Sequence, residues 1–147
     1  MKRSIKVVIL LIVIALVGLQ GSACVAEQAA FQITGCEDFH EKLEDFFAKH
    51  TELLGQSVLI EGYLYVGTSP ELERDSYYYV YHWQESCCDD GLMREGMEVV
   101  WLSEEGIYPE PESYVRAVGV LKIYEDHGMQ LIRLELQSLE AIEDACA

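Results

Sequence analysis

Five residues in the middle of the chain have the side-chain types of metal ligands. They are His82, the adjacent pair Cys87 and Cys88, and the two acids that follow, Asp89 and Asp90. Thiolate and imidazole groups bind zinc or copper, and carboxylates complete or orient such a coordination shell. These residues therefore support the hypothesis of a zinc or copper site. The alternative is that one of the two cysteines forms a structural disulfide and that the acids are solvated.

The beginning of the chain has the order of a secretion signal. Basic residues open it, an apolar run covers residues 7–19, and the small residues 21–23 follow. Signal peptides have this order, and the run is short beside the roughly 20 residues of a membrane-spanning helix. We therefore expect residues 1–23 to be a signal peptide that is removed after export. An uncleaved anchor that begins at Ile5 is the alternative.

Cys24 stands directly after these small residues. Its position resembles the lipobox of bacterial lipoproteins, in which a cysteine after small residues receives a lipid and becomes the mature N-terminus. That family prefers leucine where this chain has Gly21. The resemblance implies lipidation of Cys24 and a membrane anchor, whereas cleavage near Ala23 or Ala26 implies a secreted protein. Both alternatives predict an extracytoplasmic location in a bacterial cell envelope.

The chain after the leader is strongly acidic. All 26 acidic residues but only seven of the ten basic ones follow residue 23, so the mature net charge is −19. Such a field repels nucleic acid, which excludes nucleic-acid-binding proteins, and it favours cationic partners or metal ions. The remaining length of about 120 residues suits a single domain. We expect a short tether over residues 24–33 and one domain over residues 34–147.

An amphipathic helix is predicted at the start of this domain. Thr34 and Glu37 have the spacing of a capping box, in which each side chain satisfies a backbone N–H at a helix start. Gly55 is a typical helix stop. We predict a helix over residues 35–54, with one face made by residues at spacings of three and four: Phe39, Leu43, Phe46, Phe47, His50, Leu53 and Leu54.

After Gly55 the pattern changes to that of β-strands, because β-branched and aromatic residues dominate. The last two predicted strands flank the turn residues 126–128 and form a hairpin. Gly62 and Gly119 stand inside strand patterns, where glycine typically marks a bulge or sharp coiling. The five predicted strands cover residues 57–66, 77–83, 97–103, 114–124 and 129–136.

Five short strands must close into a barrel or leave their edges exposed. The chain is therefore predicted to be mainly β with one N-terminal helix, and its strands to form a small five-stranded OB-like barrel. The alternative with the same elements is an open antiparallel sheet with the helix packed on one face.

The segment from Gly55 to Glu140 resembles a family of small extracytoplasmic bacterial domains with an OB-like fold. The most specific part is a strand that leads into Cys87, Cys88 and Asp89. In this order the segment is similar to the C-terminal domain of uncharacterised bacterial permease-subunit proteins. The resemblance implies an envelope location and a metal or thiol function at the paired cysteines.

The four cysteines after the leader junction allow three disulfide pairings. One pairing joins Cys36 to Cys146 at the two ends of the domain and leaves Cys87 and Cys88 as the remaining pair. The other pairings join one of the adjacent cysteines to Cys36 or Cys146. A disulfide requires Cα atoms within about 7 Å of each other. The sequence does not give these distances, so the pairing stays open.

Other candidate residues have simpler explanations. The aromatic residues Tyr77, Tyr78, Tyr79 and Trp83 could stack against ligand rings, as in many OB barrels, or supply core and cross-strand pairs. Three further histidines are predicted to be surface or satisfied polar residues: His40, His50 and His127.

Catalysis is not predicted for this domain. The paired cysteines lack the Cys-x-x-Cys spacing of thiol–disulfide enzymes, and no catalytic set of Ser, His and Asp stands out. We therefore predict a non-catalytic binding domain, membrane-anchored or secreted, for a small ligand or an envelope protein partner. Zinc or copper binding by the Cys87 and Cys88 loop is the alternative.

Overall fold

The structure is a computed structural model and describes residues 29–69, 74–85 and 92–147. The predicted signal peptide, Cys24, and the loop with Cys87, Cys88, Asp89 and Asp90 lie outside these residues. The described part contains one helix and six strands, with these bounds: β1 Phe31–Ile33, α1 Phe39–Leu53, β2 Ser57–Ser69, β3 Arg74–Glu85, β4 Leu92–Val100, β5 Tyr114–Asp126 and β6 Met129–Ala141.

The strands form a closed barrel. Neighbours follow the order β1, β2, β3, β4, β6, β5, and β5 pairs again with β2. Five strands therefore close on themselves, and β1 is an extra strand that runs parallel to the start of β2. The barrel is mixed, because β4 and β6 pair in parallel while the other pairs within it are antiparallel. This confirms the mainly β, OB-like barrel and excludes the open sheet.

Two glycines allow the strands to bend around the barrel, as the sequence predicted. Strand β2 pairs with β5 up to Tyr63 and with β3 from Tyr63 onward, so the strand changes partner directly after Gly62. A Cβ atom on Gly62 would lie 2.6 Å from the carbonyl oxygen of Tyr81. Gly119 stands at the register shift between β5 and β6, which is a bulge.

One hydrophobic core fills the barrel and extends to the helix. Inward-facing side chains of all five barrel strands form a single cluster with the buried face of α1. The helix contributes Phe39, Leu43, Phe46 and Leu53, whereas Phe47 is 39% exposed. The predicted helix face is therefore correct except at its margin.

The predicted capping box is wrong. Helix α1 begins at Phe39 with Asp38 as its N-cap residue, and no side chain caps it. Gly35 has a φ of +87°, so the chain turns before the helix begins and leaves Thr34 outside it. Lys42 instead donates to the carbonyl oxygen of Thr34 and pairs with Asp38 at 2.9 Å. The other end agrees with the prediction, since Gly55 follows the helix with a φ of +77°.

Two other segments differ from the sequence prediction. The segment predicted to be a tether contains β1, in which Ile33 is fully buried. Three residues are too few for a readable alternation of apolar and polar side chains. Strand β4 covers Leu92–Val100 rather than residues 97–103. Trp101 leaves the strand because its backbone N–H donates to the Tyr108 hydroxyl within the following loop.

Candidate functional site

The aromatic strand β3 presents different residues on its two faces. Successive side chains of a strand point to opposite sides, so Tyr77, Tyr79, Tyr81 and Trp83 share the outer face of the barrel. The residues between them face inward, where Val80 is fully buried in the core. The single run of aromatic residues in the sequence therefore supplies both the core and an external surface.

An outer aromatic face forms around Tyr81. We use this name for Tyr65 of β2, Tyr77, Tyr79, Tyr81 and Trp83 of β3, and Arg94 of β4. The guanidinium carbon of Arg94 lies 4.2 Å from the ring centroid of Tyr65, 4.6 Å from that of Trp83 and 5.4 Å from that of Tyr81. Trp83 is 42% exposed and Tyr81 is fully covered. The face therefore already holds one cation against three rings.

Glu112 fixes the Tyr81 ring from the connection before β5. The Tyr81 hydroxyl donates to the Glu112 carboxylate at 2.6 Å. Burial first, and then this carboxylate, raise the pKa of Tyr81 to about 12, and Arg94 opposes the rise. Glu112 has a φ of 65°, a left-handed conformation that is uncommon for residues other than glycine. Its backbone N–H donates to Leu64, which holds the carboxylate in this position.

A cleft of about 470 Å³ continues from this face. Tyr77 belongs to both the outer aromatic face and the cleft. The centroid of its ring lies 6.3 Å from that of Tyr65, and Tyr77 also lines the cleft. We call this space the end cleft. It is lined by Ser76, Tyr77, Tyr78, Glu98, Val99, Val100, Tyr108, Tyr124, Glu125, Asp126 and Arg133.

The end cleft combines flat rings with paired polar groups. Tyr78 and Tyr108 stack with centroids 3.4 Å apart and planes within 3° of parallel. The Tyr124 hydroxyl donates to Glu98 at 2.5 Å, and the Arg133 guanidinium lies 4.6 Å from the Tyr124 ring centroid. Burial raises the pKa of Tyr108. Such walls can stack against a ligand ring and hydrogen-bond to its edge.

His82, the one predicted metal ligand within the described residues, is buried inside the fold. It is 6% exposed, and its ring centroid lies 4.1 Å from that of Phe39 and within 6 Å of those of Tyr63 and Tyr114. Its Nε2 atom has no hydrogen-bond partner among the described residues. Burial lowers the pKa of His82, and a hydrogen bond with the Glu61 backbone acts in the opposite direction.

The cysteine pairing that the sequence left open is decided by the fold. Cys36 and Cys146 form a disulfide with Cα atoms 5.7 Å apart. The pairings of Cys87 or Cys88 with either of them are therefore wrong. The disulfide joins the chain before α1 to the chain after β6. There the Cys146 N–H donates to Asp144, which also accepts from the Tyr63 hydroxyl.

The other histidines have polar partners, which agrees with their prediction as surface or satisfied polar residues. His40 lies 2.8 Å from Glu95 and 3.2 Å from the carbonyl oxygen of Trp83. His50 lies 2.6 Å from a backbone carbonyl oxygen of its own helix, and His127 lies 2.8 Å from Asp126.

Sequence reasoning missed several residues of the site, among them Arg94, Glu112, Tyr108 and Arg133. Each reaches the aromatic residues of β3 or the end cleft from another part of the chain, so no local spacing identifies it. The sequence offered one signal. Only seven basic residues follow the leader, so each arginine within a hydrophobic strand stands out.

The comparisons with known proteins leave the resemblance a prediction. No protein-family model matches this chain, and no curated protein matches it. Among the described residues, no helix is long and apolar enough to cross a membrane. Within the same residues, no three His, Cys, Asp or Glu side chains come together as a metal site. Four of the five predicted metal ligands lie outside them, so the metal hypothesis remains untested.

Proposed function

We propose that this chain is a non-catalytic, extracytoplasmic binding domain, membrane-anchored or secreted. It binds a small ligand or a protein partner through the outer aromatic face and the end cleft. The observation that carries this proposal is their continuity through Tyr77, which gives one surface rich in tyrosine, tryptophan and arginine. These residue types dominate the energetics of binding sites.

The position on the barrel supports the proposal. OB-type barrels bind their ligands on the face of their second and third strands, between the loops at its ends. In this chain those strands are β3 and β4, and the end cleft lies beside the turn between β5 and β6. The negative charge of the domain argues against an oligonucleotide as the ligand.

The paired state of the polar groups supports a role in binding. Tyr81 donates to Glu112, Tyr124 donates to Glu98, and Arg133 pairs with Glu135 at 3.0 Å. Groups held in this way are oriented for recognition of a ligand edge.

The proposal is tested by NMR titration of the exported protein with three kinds of probe. These are a neutral disaccharide, a dicarboxylate and a short basic peptide. We expect amide shifts from at least one probe to cluster on β3, β4 and the end cleft. Tyr77→Ala is expected to weaken that binding at least tenfold, because it removes the ring shared by both parts of the site. Ile107→Ala, at an exposed position, is the control. Shifts elsewhere, or none with any probe, contradict the proposal.

A second candidate function is zinc or copper binding by the loop that contains Cys87 and Cys88. The disulfide between Cys36 and Cys146 favours it, because that bond leaves the adjacent cysteines without those partners. Native mass spectrometry of the mature protein, followed by denaturation and thiol alkylation, tests this candidate. Bound metal that is lost on denaturation, with both loop cysteines then alkylated, supports it. A disulfide within the pair and no metal contradict it.

A further inference from the structure

The three rings around Arg94 form a cage whose occupant is a side chain of the same protein. The guanidinium carbon lies between 4.2 and 5.4 Å from the centroids of Tyr65, Trp83 and Tyr81. Cations bind to the electron-rich faces of aromatic rings at such distances, and aromatic cages bind quaternary ammonium and methylated lysine groups in the same way.

Arg94 contacts the three rings and also hydrogen-bonds with the Tyr81 side chain. It is exposed, and it reaches the rings from β4 with a long flexible side chain. The cage itself is fixed. Tyr81 is fully buried and held by Glu112, and Tyr65 and Trp83 stand on the paired strands β2 and β3.

We propose that this cage is a binding site for a guanidinium or alkylammonium group, and that Arg94 occupies it when no ligand is bound. The inference rests on the proposed function and names the chemical class of its ligand. A cationic ligand replaces Arg94 on the rings, and the displaced guanidinium moves into solvent.

The charge of the molecule supports a cation as the ligand. The chain after residue 23 carries a net charge of −19, and Glu98 and Glu112 lie on or beside this face. Such a field attracts cations and repels anions during diffusional encounter. The same cationic group could come from an arginine or lysine of a partner protein or from a free polyamine.

Fluorescence of Trp83 reports directly on the cage. The chain has two tryptophans, so Trp101→Phe leaves Trp83 as the only one. In this background, Arg94→Ala is titrated with methylguanidinium and with tetramethylammonium. We expect a saturable change in emission, with affinity about tenfold higher than in the parent that retains Arg94, because the internal competitor is gone. Lys122→Ala is the matched control, since it removes one exposed positive charge from another strand.

A second variant keeps the test valid if Arg94→Ala unfolds. Arg94→Gln retains an aliphatic stem over the rings but removes the positive charge. Circular dichroism checks that each variant is folded. A folded variant that shows no saturable response to either cation overturns the inference. A response of equal strength in Lys122→Ala also overturns it, because the effect would then follow net charge.

Peptides separate this inference from the proposed function. The protein with native Arg94 is titrated with a peptide containing one arginine, with the same peptide containing neutral citrulline, and with spermidine. Preference for arginine over citrulline supports a cation site, and tighter binding of the peptide than of spermidine assigns the cation to a protein partner. Tighter binding of spermidine assigns it to a free amine. Equal binding of both peptides at this face overturns the cation site but leaves the proposed function intact.

Discussion

At the residue scale, burial changes the acid–base chemistry of two consecutive side chains. Tyr81 faces outward, and burial together with Glu112 raises its pKa to about 12. His82 faces inward, and burial lowers its pKa. Both shifts favour the neutral form, because each side chain is removed from water. Tyr81 therefore remains a hydrogen-bond donor across the physiological range, while His82 remains neutral near pH 7.

His82 is predicted to make the fold less stable in mild acid. Its pKa is lower in the folded protein than in the unfolded chain, where it is about 6.5. The unfolded chain therefore takes up the proton first, and stability is lost as the pH falls below about 6.5. Urea unfolding at several pH values between 7.5 and 5 measures the loss. His82→Phe is expected to flatten this dependence, and His127→Phe serves as an exposed control. An unchanged slope in His82→Phe contradicts the prediction.

At the scale of elements, the hairpin of β3 and β4 depends on one glycine. Gly96 stands opposite Tyr81, and a Cβ atom there would lie 1.9 Å from the carbonyl oxygen of Val80 and 2.6 Å from the Cα atom of Tyr81. Both contacts are with the backbone, which cannot move without breaking the strand pairing. The close approach of the two strands therefore supports the position of Tyr81 and of the cage around it.

Gly96→Ala is expected to lower the free energy of unfolding by about 3 kcal/mol, because of this clash with the backbone. Gly55→Ala is the comparison. A Cβ atom at Gly55 would meet no neighbouring atom, but the φ of +77° is strained for alanine. The substitution is therefore expected to cost about 1 kcal/mol. Urea unfolding monitored by circular dichroism gives both values. A smaller effect for Gly96→Ala than for Gly55→Ala would show that β4 can move away from β3.

At the scale of the whole molecule, the disulfide connects the two ends of the domain. Cys36 and Cys146 are 110 residues apart in sequence, and the loop that they close contains α1 and the entire barrel. Closing so long a loop strongly restricts the unfolded chain. The bond also holds the start of α1 beside the end of the chain, where Asp144 accepts from Tyr63.

Removal of this disulfide is predicted to cost about 4 to 5 kcal/mol, from the loss of chain entropy in the unfolded state. The variant is Cys36→Ala with Cys146→Ala, and urea unfolding under non-reducing conditions measures the change. The double variant Cys87→Ser with Cys88→Ser is the matched control, and we expect it to retain the stability that this bond supplies. A larger loss of stability in the control would mean that the adjacent cysteines, and not Cys36 and Cys146, form the main stabilising cross-link.

Attachment to a membrane is a prediction for the N-terminus. If Cys24 is lipidated, cells that express the protein will incorporate labelled palmitate into it, and the protein will sediment with membranes. Cys24→Ser is expected to abolish the label and release the protein, while Cys87→Ser with Cys88→Ser retains both properties because the lipid is attached elsewhere. A labelled Cys24→Ser protein would contradict the lipobox prediction.

The sequence by itself determined the elements, because they follow from local periodicity. The buried face of α1, the existence of five barrel strands and the turn between β5 and β6 were readable from residue types and spacing, although the bounds of β4 were misplaced. A closed barrel was the favoured prediction, because so few strands leave exposed edges otherwise, but the structure was needed to exclude the open sheet. Strand β1 and the true start of α1 were missed, since three residues show no period and a left-handed Gly35 is not visible in sequence.

Only the tertiary structure decided which distant residues meet. Three contacts each join separate segments of the chain. They are the disulfide between Cys36 and Cys146, the contact of Arg94 with three rings, and the hydrogen bond of Tyr81 with Glu112. Local spacing carries no information about such contacts, because strand register and barrel closure set the distances between segments. The sequence alone therefore predicted a small acidic OB-like barrel, and the fold brought together the residues of the outer aromatic face and the end cleft.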